Sequence, residues 1–299
     1  MLLSELEPVL PITVARDGQF RSLGFVDHDA DELLVAVYEG RYLDRLQKPN
    51  ISCVITSERL VDRIPSRLGL VIDTDPKTRF YTIHDYLCRH TDFYGPSMVS
   101  RIAESARVHP ASYVAPANVE IGPGTMTEPN ATILERTRIG ADVIIRAGTV
   151  VGAEGFGAVR LSDRQVHVRH GGSVELADQV QILSNCTIVR ATFGGATTIG
   201  RETIVNAQSY VAHNVRIGKR CRIAAGVIIA GSAQIGDDVW IGPNAVISNS
   251  VRIGDGASVT LGAVVIRDVA PGERVSGHFA ISHRRFLEFL ARSRYDDGG

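Results

Sequence analysis

The chain has 299 residues, 44% hydrophobic and 22% charged, with 32 basic against 33 acidic side chains. That length leaves room for two domains, and the even charge balance gives no nucleic-acid or polybasic membrane signal. No apolar run approaches the roughly 20 residues of a spanning helix. The opening MLLSELEPVLPITVARDG lacks the basic start of a signal peptide, and Cys53, Cys88, Cys186 and Cys221 form no C-x-x-C pair, so a reduced cytoplasmic location is expected.

Residues 1–95 carry short apolar runs, LLVAVY (33–38), SCVIT (52–56) and GLVIDT (69–74), between segments of helical spacing, GRYLDRLQK (40–48) and FYTIHDYLCRH (80–90). Alternating strands and helices predict a small α/β domain, read as a nucleotide-sugar recognition domain. The stretch from Thr91 to Pro110 is the expected join, with a short helical lead-in over Met98 to Glu104.

From Ile199 to Val265 an aliphatic residue recurs every six positions: Ile199, Val205, Val211, Ile217, Ile223, Ile229, Ile235, Ile241, Ile247, Ile253, Val259, Val265. Four residues after each of the first eleven comes a residue small enough for a tight interior, from Thr203 and Ser209 to Ala257 and Ala263. Neither a helical period nor strand alternation gives that double rule; a hexapeptide β-helix does. Three hexapeptides complete a triangular coil, so residues eighteen apart stack, with coils about 4.8 Å apart. Gly200, Gly218, Gly236, Gly242 and Gly254 follow aliphatic positions, where a corner demands unusual dihedrals or close backbone approach.

Ile121, Thr127, Ile133, Ile139, Ile145 and Val151 keep the same beat earlier, so the fold class is mainly β, a left-handed parallel β-helix over about 102–270. Residues 153–173 carry charges and glycines where interior positions would fall, which predicts a loop leaving the helix. After Pro271 and Gly272, HRRFLEFLARSR (283–294) has apolar Phe286, Phe289 and Leu290 at helical spacing, so 271–299 is expected to be a capping helix over an open solenoid end.

His213, two residues after interior Val211, falls at a corner of the coil. Its stacking neighbours are Gly195 and Gly231, which leave space beside the ring and backbone amides uncovered by side chains. Imidazole suits proton removal from an amine or hydroxyl near neutral pH, and the Gly231 amide could hold a developing oxyanion. The alternative is a solvated corner histidine. A metal site would need ligands from adjacent coils, where glycine and asparagine stand, or from His167 and His170 across a subunit interface; loop polarity explains those two better.

VVGAEGFG (150–157), VAHNVRIG (211–218) and AAGVIIAGSAQIG (224–236) resemble the UDP-3-O-acylglucosamine N-acyltransferase family of lipid A synthesis, LpxD. The resemblance covers most of the chain, because that family also joins a small N-terminal α/β domain to a left-handed β-helix and a C-terminal helical segment. It implies that His213 is the general base and that Gly231 supplies the oxyanion amide, with Asn214 of the A-H-N motif and Glu39 read as substrate-binding residues. It further implies that Gly155, Phe156 and Gly157 line a substrate cleft between subunits of a homotrimer, and that Tyr42 lies near the nucleotide.

The departures are specific. The family's phenylalanine and asparagine beside that tyrosine read Ala36 and Glu39, a second active-site histidine reads Ser250, and the aspartate of T-I-D-R-G reads Val189. These point to a relative acting on another amino sugar, in lipid A or surface polysaccharide synthesis. The expectation is an N-acyltransferase that takes an acyl group from acyl carrier protein (acyl-ACP) or acyl-CoA as co-substrate, with no bound metal or organic cofactor required. Arg284, Arg285, Arg292 and Arg294 would attract either anionic donor. A sugar O-acetyltransferase using acetyl-CoA, and a non-catalytic scaffold or nucleotide-sugar sensor, remain the alternatives.

Overall fold

The computed structural model describes residues 1–277, 282–285 and 287–288. The N-terminal residues build a five-stranded sheet from β1 (Thr13–Arg16), β2 (Ser22–Leu23), β3 (Leu33–Val37), β4 (Ile51–Thr56) and β5 (Gly69–Ile72), in the spatial order β1-β5-β4-β3-β2. All pairs are parallel except β1 with β5. The central strands are buried on both faces, which is why they read as continuous apolar runs. Leu34, Cys53, Ile55 and Val71 pack against Phe80, Ile83 and Leu87 of helix α1 (Pro76–His90). Val35, Val54 and Leu70 face the opposite side, against Leu43, Leu46 and Leu60.

Two details differ from the expectation. Residues 40–47 form a 3-10 helix, not an α-helix. Helix α1 starts four residues before the apolar run, at Pro76, because the Asp75 carboxylate caps it by accepting the Thr78 amide at 3.0 Å.

The left-handed parallel β-helix then runs as three long sheets of two- to four-residue strands, from Arg101–Ile102 to Arg274–Val275. The expected helical lead-in is absent: Arg101 and Ile102 pair in parallel with Glu120 and Ile121, so the first coil begins where a helix was predicted. Ile199, Ile217, Ile235 and Ile253 form one interior ladder. Val205, Ile223, Ile241 and Val259 form the second, and Val211, Ile229, Ile247 and Val265 the third. All twelve are buried, as are the small residues four positions later.

The corners resolve the two explanations offered for the glycines. A Cβ on Gly200 would lie 2.6 Å from the Gly218 carbonyl carbon, and one on Gly218 2.5 Å from the Gly236 carbonyl oxygen, so close stacking of backbones demands them. The left-handed backbone sits elsewhere, three residues after each interior aliphatic, at Gln208, Asn214, Arg220, Ser232, Asp238, Asn244 and Ser250. Polar residues and glycine tolerate that conformation.

Two coils are interrupted. Ile139 pairs with Leu176 across the excursion after Ala153, which carries a short antiparallel hairpin of Ala158–Arg160 with Gln165–His167. Leu176 pairs with Ile199, a step of 23 residues in place of eighteen. The extra residues include Phe193, which is buried with Val168 against the apolar side of α1 and so fastens the sheet to the solenoid. Of the capping helix expected over 283–294, helical turns at 283–285 and 287–288 are described; the remainder lies outside the described residues.

Candidate active site

His213 follows a two-residue strand, Tyr210–Val211, whose Val211 points into the core, so the chain turns and the imidazole projects from the corner. Asn214 takes the left-handed conformation, φ 60°, and its side chain folds back under the histidine. Its Oδ1 accepts the Thr192 amide at 3.1 Å and stands 3.1 Å from His213 Nδ1. An amide N–H can only donate, so the Asn214 atom it meets is the oxygen. His213 Nδ1 therefore carries the proton, and Nε2 is left with its lone pair.

The ring lies over Gly231. A Cβ there would sit 2.6 Å from both Cε1 and Nε2 of His213, so any larger residue displaces the imidazole. The Gly231 amide has no acceptor among the described residues, while its carbonyl takes the Ser250 amide at 3.0 Å. On the other side, a Cβ on Gly195 would meet nothing within 4 Å. A proton acceptor, a free amide and open space thus meet at one corner, as the eighteen-residue stacking predicts.

Two further histidines close in that the sequence did not disclose. His170, expected to be solvated loop polarity, is 2% exposed, its ring centroid 5.8 Å from that of His213 and nearly perpendicular. Its Nε2 accepts the Gly155 amide at 3.3 Å, and Nδ1 donates to the Val168 carbonyl at 3.2 Å. Burial and then the nearness of His213 push its pKa down to about 4, so it is neutral at physiological pH. His28, from the loop after β2, lies on the rings of Phe25 and Phe193, at centroid distances of 5.2 and 6.2 Å. Its pKa is lowered by burial, with His213 among the charges that act on it.

Glu154 secures the loop. It accepts Arg190 at 2.7 Å and the His170 amide at 3.3 Å. Burial alone would raise its carboxyl, but the Arg190 hydrogen bond, the His170 amide and the nearby charges together outweigh that and hold it below the usual carboxylate range. Gly155 packs against Val189, its Cβ position 2.8 Å from Val189 Cγ1, and Gly157 against His170. Phe156 stands 84% exposed beside this knot.

Tyr42 and Glu39 make no contact with His213 in this chain. Arg41 lies over the Tyr42 ring, 4.9 Å from its centroid, and pairs with Glu39 at 2.7 Å. Arg45, also near that ring, pairs with Asp27, the neighbour of His28. Asn214 stands beside His213 and holds its Nδ1. Neither His28 nor His170 has a sequence signal of its own; each arrives through a loop whose path depends on long-range packing. Among the described residues no group of three or more His, Cys, Asp or Glu side chains is placed to hold a metal ion.

The family described as bacterial transferase hexapeptide (six repeats) matches residues 118–153, 196–231 and 232–267. The chain is similar to proteins named UDP-3-O-acylglucosamine N-acyltransferase, which bears out the resemblance carried by the motifs. That of Methylococcus capsulatus is 40% identical over 95 residues, 31% of this chain and 27% of the relative, so the match spans about a quarter of that protein. That of Coxiella burnetii is 26% identical over 256 residues, 75% of this chain and 73% of the relative. The solved UDP-N-acetylglucosamine acyltransferase of Francisella novicida overlays at a TM-score of 0.49 and 22% identity, over 64% of this chain and 71% of that one.

Proposed function

We propose that this chain is an N-acyltransferase that moves an acyl group from a thioester, acyl carrier protein or CoA, to the amine of a nucleotide-linked amino sugar. The observation that carries the reading is the His213 corner. Nδ1 is committed to Asn214, Nε2 is free to accept a proton, and the Gly231 amide beside it is unpaired.

In that reading Nε2 takes a proton from the amine as its nitrogen attacks the thioester carbonyl. The carbonyl oxygen, now negative, is held by the Gly231 N–H. Collapse re-forms the carbonyl and breaks the C–S bond, and the imidazolium returns its proton to the leaving thiolate. The atoms balance without a redox partner.

A homotrimer supplies the walls of the cleft. One face of the solenoid presents Tyr113, Thr132, Val150, Thr187, Tyr210, Ile228, Val246 and Val264 outward in register, continuously apolar from Tyr210 onward. The neighbouring face presents Glu120, Arg138, Glu175, Arg216 and Arg252. The apolar stripe, with Ile228 44% and Val264 68% exposed, is what subunit packing would cover. Phe156 would then stand at the mouth of the cleft. The similarity to UDP-3-O-acylglucosamine N-acyltransferases supports lipid A or a surface polysaccharide as the destination, and hence a cytoplasmic enzyme.

The test is mass spectrometry of products from UDP-3-O-acylglucosamine and a 3-hydroxyacyl carrier protein, with wild type and His213→Ala. An N-acylated product that falls about 10²–10⁴-fold in the variant fits a general base. An unchanged rate in a folded variant removes the mechanism, and no product from wild type moves the acceptor to another amino sugar.

A further inference from the structure

Below His213 the same corner opens into a cavity of about 320 Å³ between the N-terminal sheet, the 93–99 segment and the solenoid. Gly195 and Gly194 form its end nearest the imidazole, Arg136 and Arg138 its far wall, and Tyr94 its floor, the tyrosine ring packing over Gly171.

Two independent features of this cavity ask for an anion. Arg136 is half-buried, and among the described residues its guanidinium makes one hydrogen bond, to the Tyr94 carbonyl at 2.5 Å. No carboxylate pairs with it among the described residues, although Arg138 beside it pairs with Glu175 at 3.3 Å and Arg21 across the gap with Glu32 at 2.9 Å. A partly desolvated, unpaired guanidinium is a costly arrangement unless an anion completes it. Separately, the amides of Phe193, Gly194 and Gly195 have no acceptor among the described residues. Gly195 is left-handed, φ 67°, with nothing within 4 Å of its Cβ position, and Gly194 meets only the Tyr94 ring at 3.7 Å, so consecutive N–H groups lie beside open space.

The coil register fixes the scale. The Arg136 carbonyl accepts the Val174 amide, the Gly195 carbonyl accepts the Ser173 amide, and the Asn214 amide donates to Thr197 Oγ1 in the coil of Gly195, so three coil steps separate Arg136 from His213. At about 4.8 Å per coil that is roughly 14 Å, with the glycine amides one step from the base.

We propose that this junction binds the diphosphate of the acceptor, the glycine amides taking the phosphate next to the sugar and Arg136 the phosphate oxygens beyond it. The assignment rests on the acyl-transfer reading of His213, since it is the base that defines the sugar's position. It gives the nucleotide an anchor that does not depend on Tyr42, whose ring face is covered by Arg41.

The experiment is calorimetric titration of the full-length protein with inorganic pyrophosphate, for wild type, Arg136→Asn, Arg138→Gln and His213→Ala, each checked by thermal unfolding. Asparagine tolerates the left-handed backbone at 136, φ 62°. Expected are binding to wild type and His213→Ala alike, a loss of tenfold or more in Arg136→Asn, and a loss of a few-fold in Arg138→Gln from the weaker cationic field. If Arg136→Asn does not fold, Arg138→Gln decides. Failure of wild type to bind, or unchanged affinity in the arginine variants, overturns the proposal. Loss of acyl transfer in His213→Ala alongside Arg136-independent binding would leave the base standing and remove the diphosphate site alone.

Discussion

Replacing His170 with glutamine should flatten the acid sensitivity of the fold. In the native chain burial and the nearby His213 hold His170 at about 4, against an ordinary value of 6.5. As pH falls below 6.5 the unfolded chain takes up a proton at this residue that the native chain refuses until pH 4, so stability is present above 6.5 and lost on the way down. Between pH 7 and pH 5 the loss attributable to His170 comes to about 1–2 kcal/mol. Glutamine keeps an oxygen to accept the Gly155 amide, now met by Nε2 at 3.3 Å, and has no proton to gain. Urea unfolding followed by circular dichroism at both pH values gives the answer directly. His28 and His84, whose values are also lowered by burial, tilt wild type and variant alike, so only the difference between the two slopes counts. Identical slopes would refute the claim that His170 is buried neutral.

Gly231→Ala should fold and lose acyl transfer by tenfold or more, because its Cβ would sit 2.6 Å from the imidazole; activity at the wild-type level would show that the ring has somewhere to go. Ile228→Glu should convert a trimer to monomers in light scattering, with the solenoid's circular dichroism unchanged, since the side chain points outward from the apolar face. Phe193→Ala removes a 3%-exposed ring shared by the sheet and the solenoid, and should cost about 3–5 kcal/mol while making the 91–100 segment sensitive to protease; an unchanged melting curve would mean that the two parts are fastened elsewhere.

The solenoid was legible because its rule is local: six residues forward from any interior position lies another. The same arithmetic placed His213 between Gly195 and Gly231 with no knowledge of the rest. What stacking cannot reveal is anything that reaches the corner from outside the repeat. His170 returns on a loop whose course is set by Glu154, Arg190 and a hairpin, and His28 arrives from a different sheet. The role expected of Tyr42 rests on a motif alone, and stacking arithmetic says nothing of Arg41, which lies over its ring and pairs with Glu39. That no carboxylate pairs with Arg136 among the described residues is likewise visible only in the fold.

Because every coil repeats the height of the last, positions along the corner line are notches on a scale, about 4.8 Å apart. Point substitutions change which group stands at a notch, as Gly195, His213 and Gly231 illustrate, and leave the spacing alone. Inserting one eighteen-residue coil between Arg136 and His213 would lengthen the gap by a single notch and leave both local environments intact. A chain built this way can alter its chemistry and its reach by separate, independent steps.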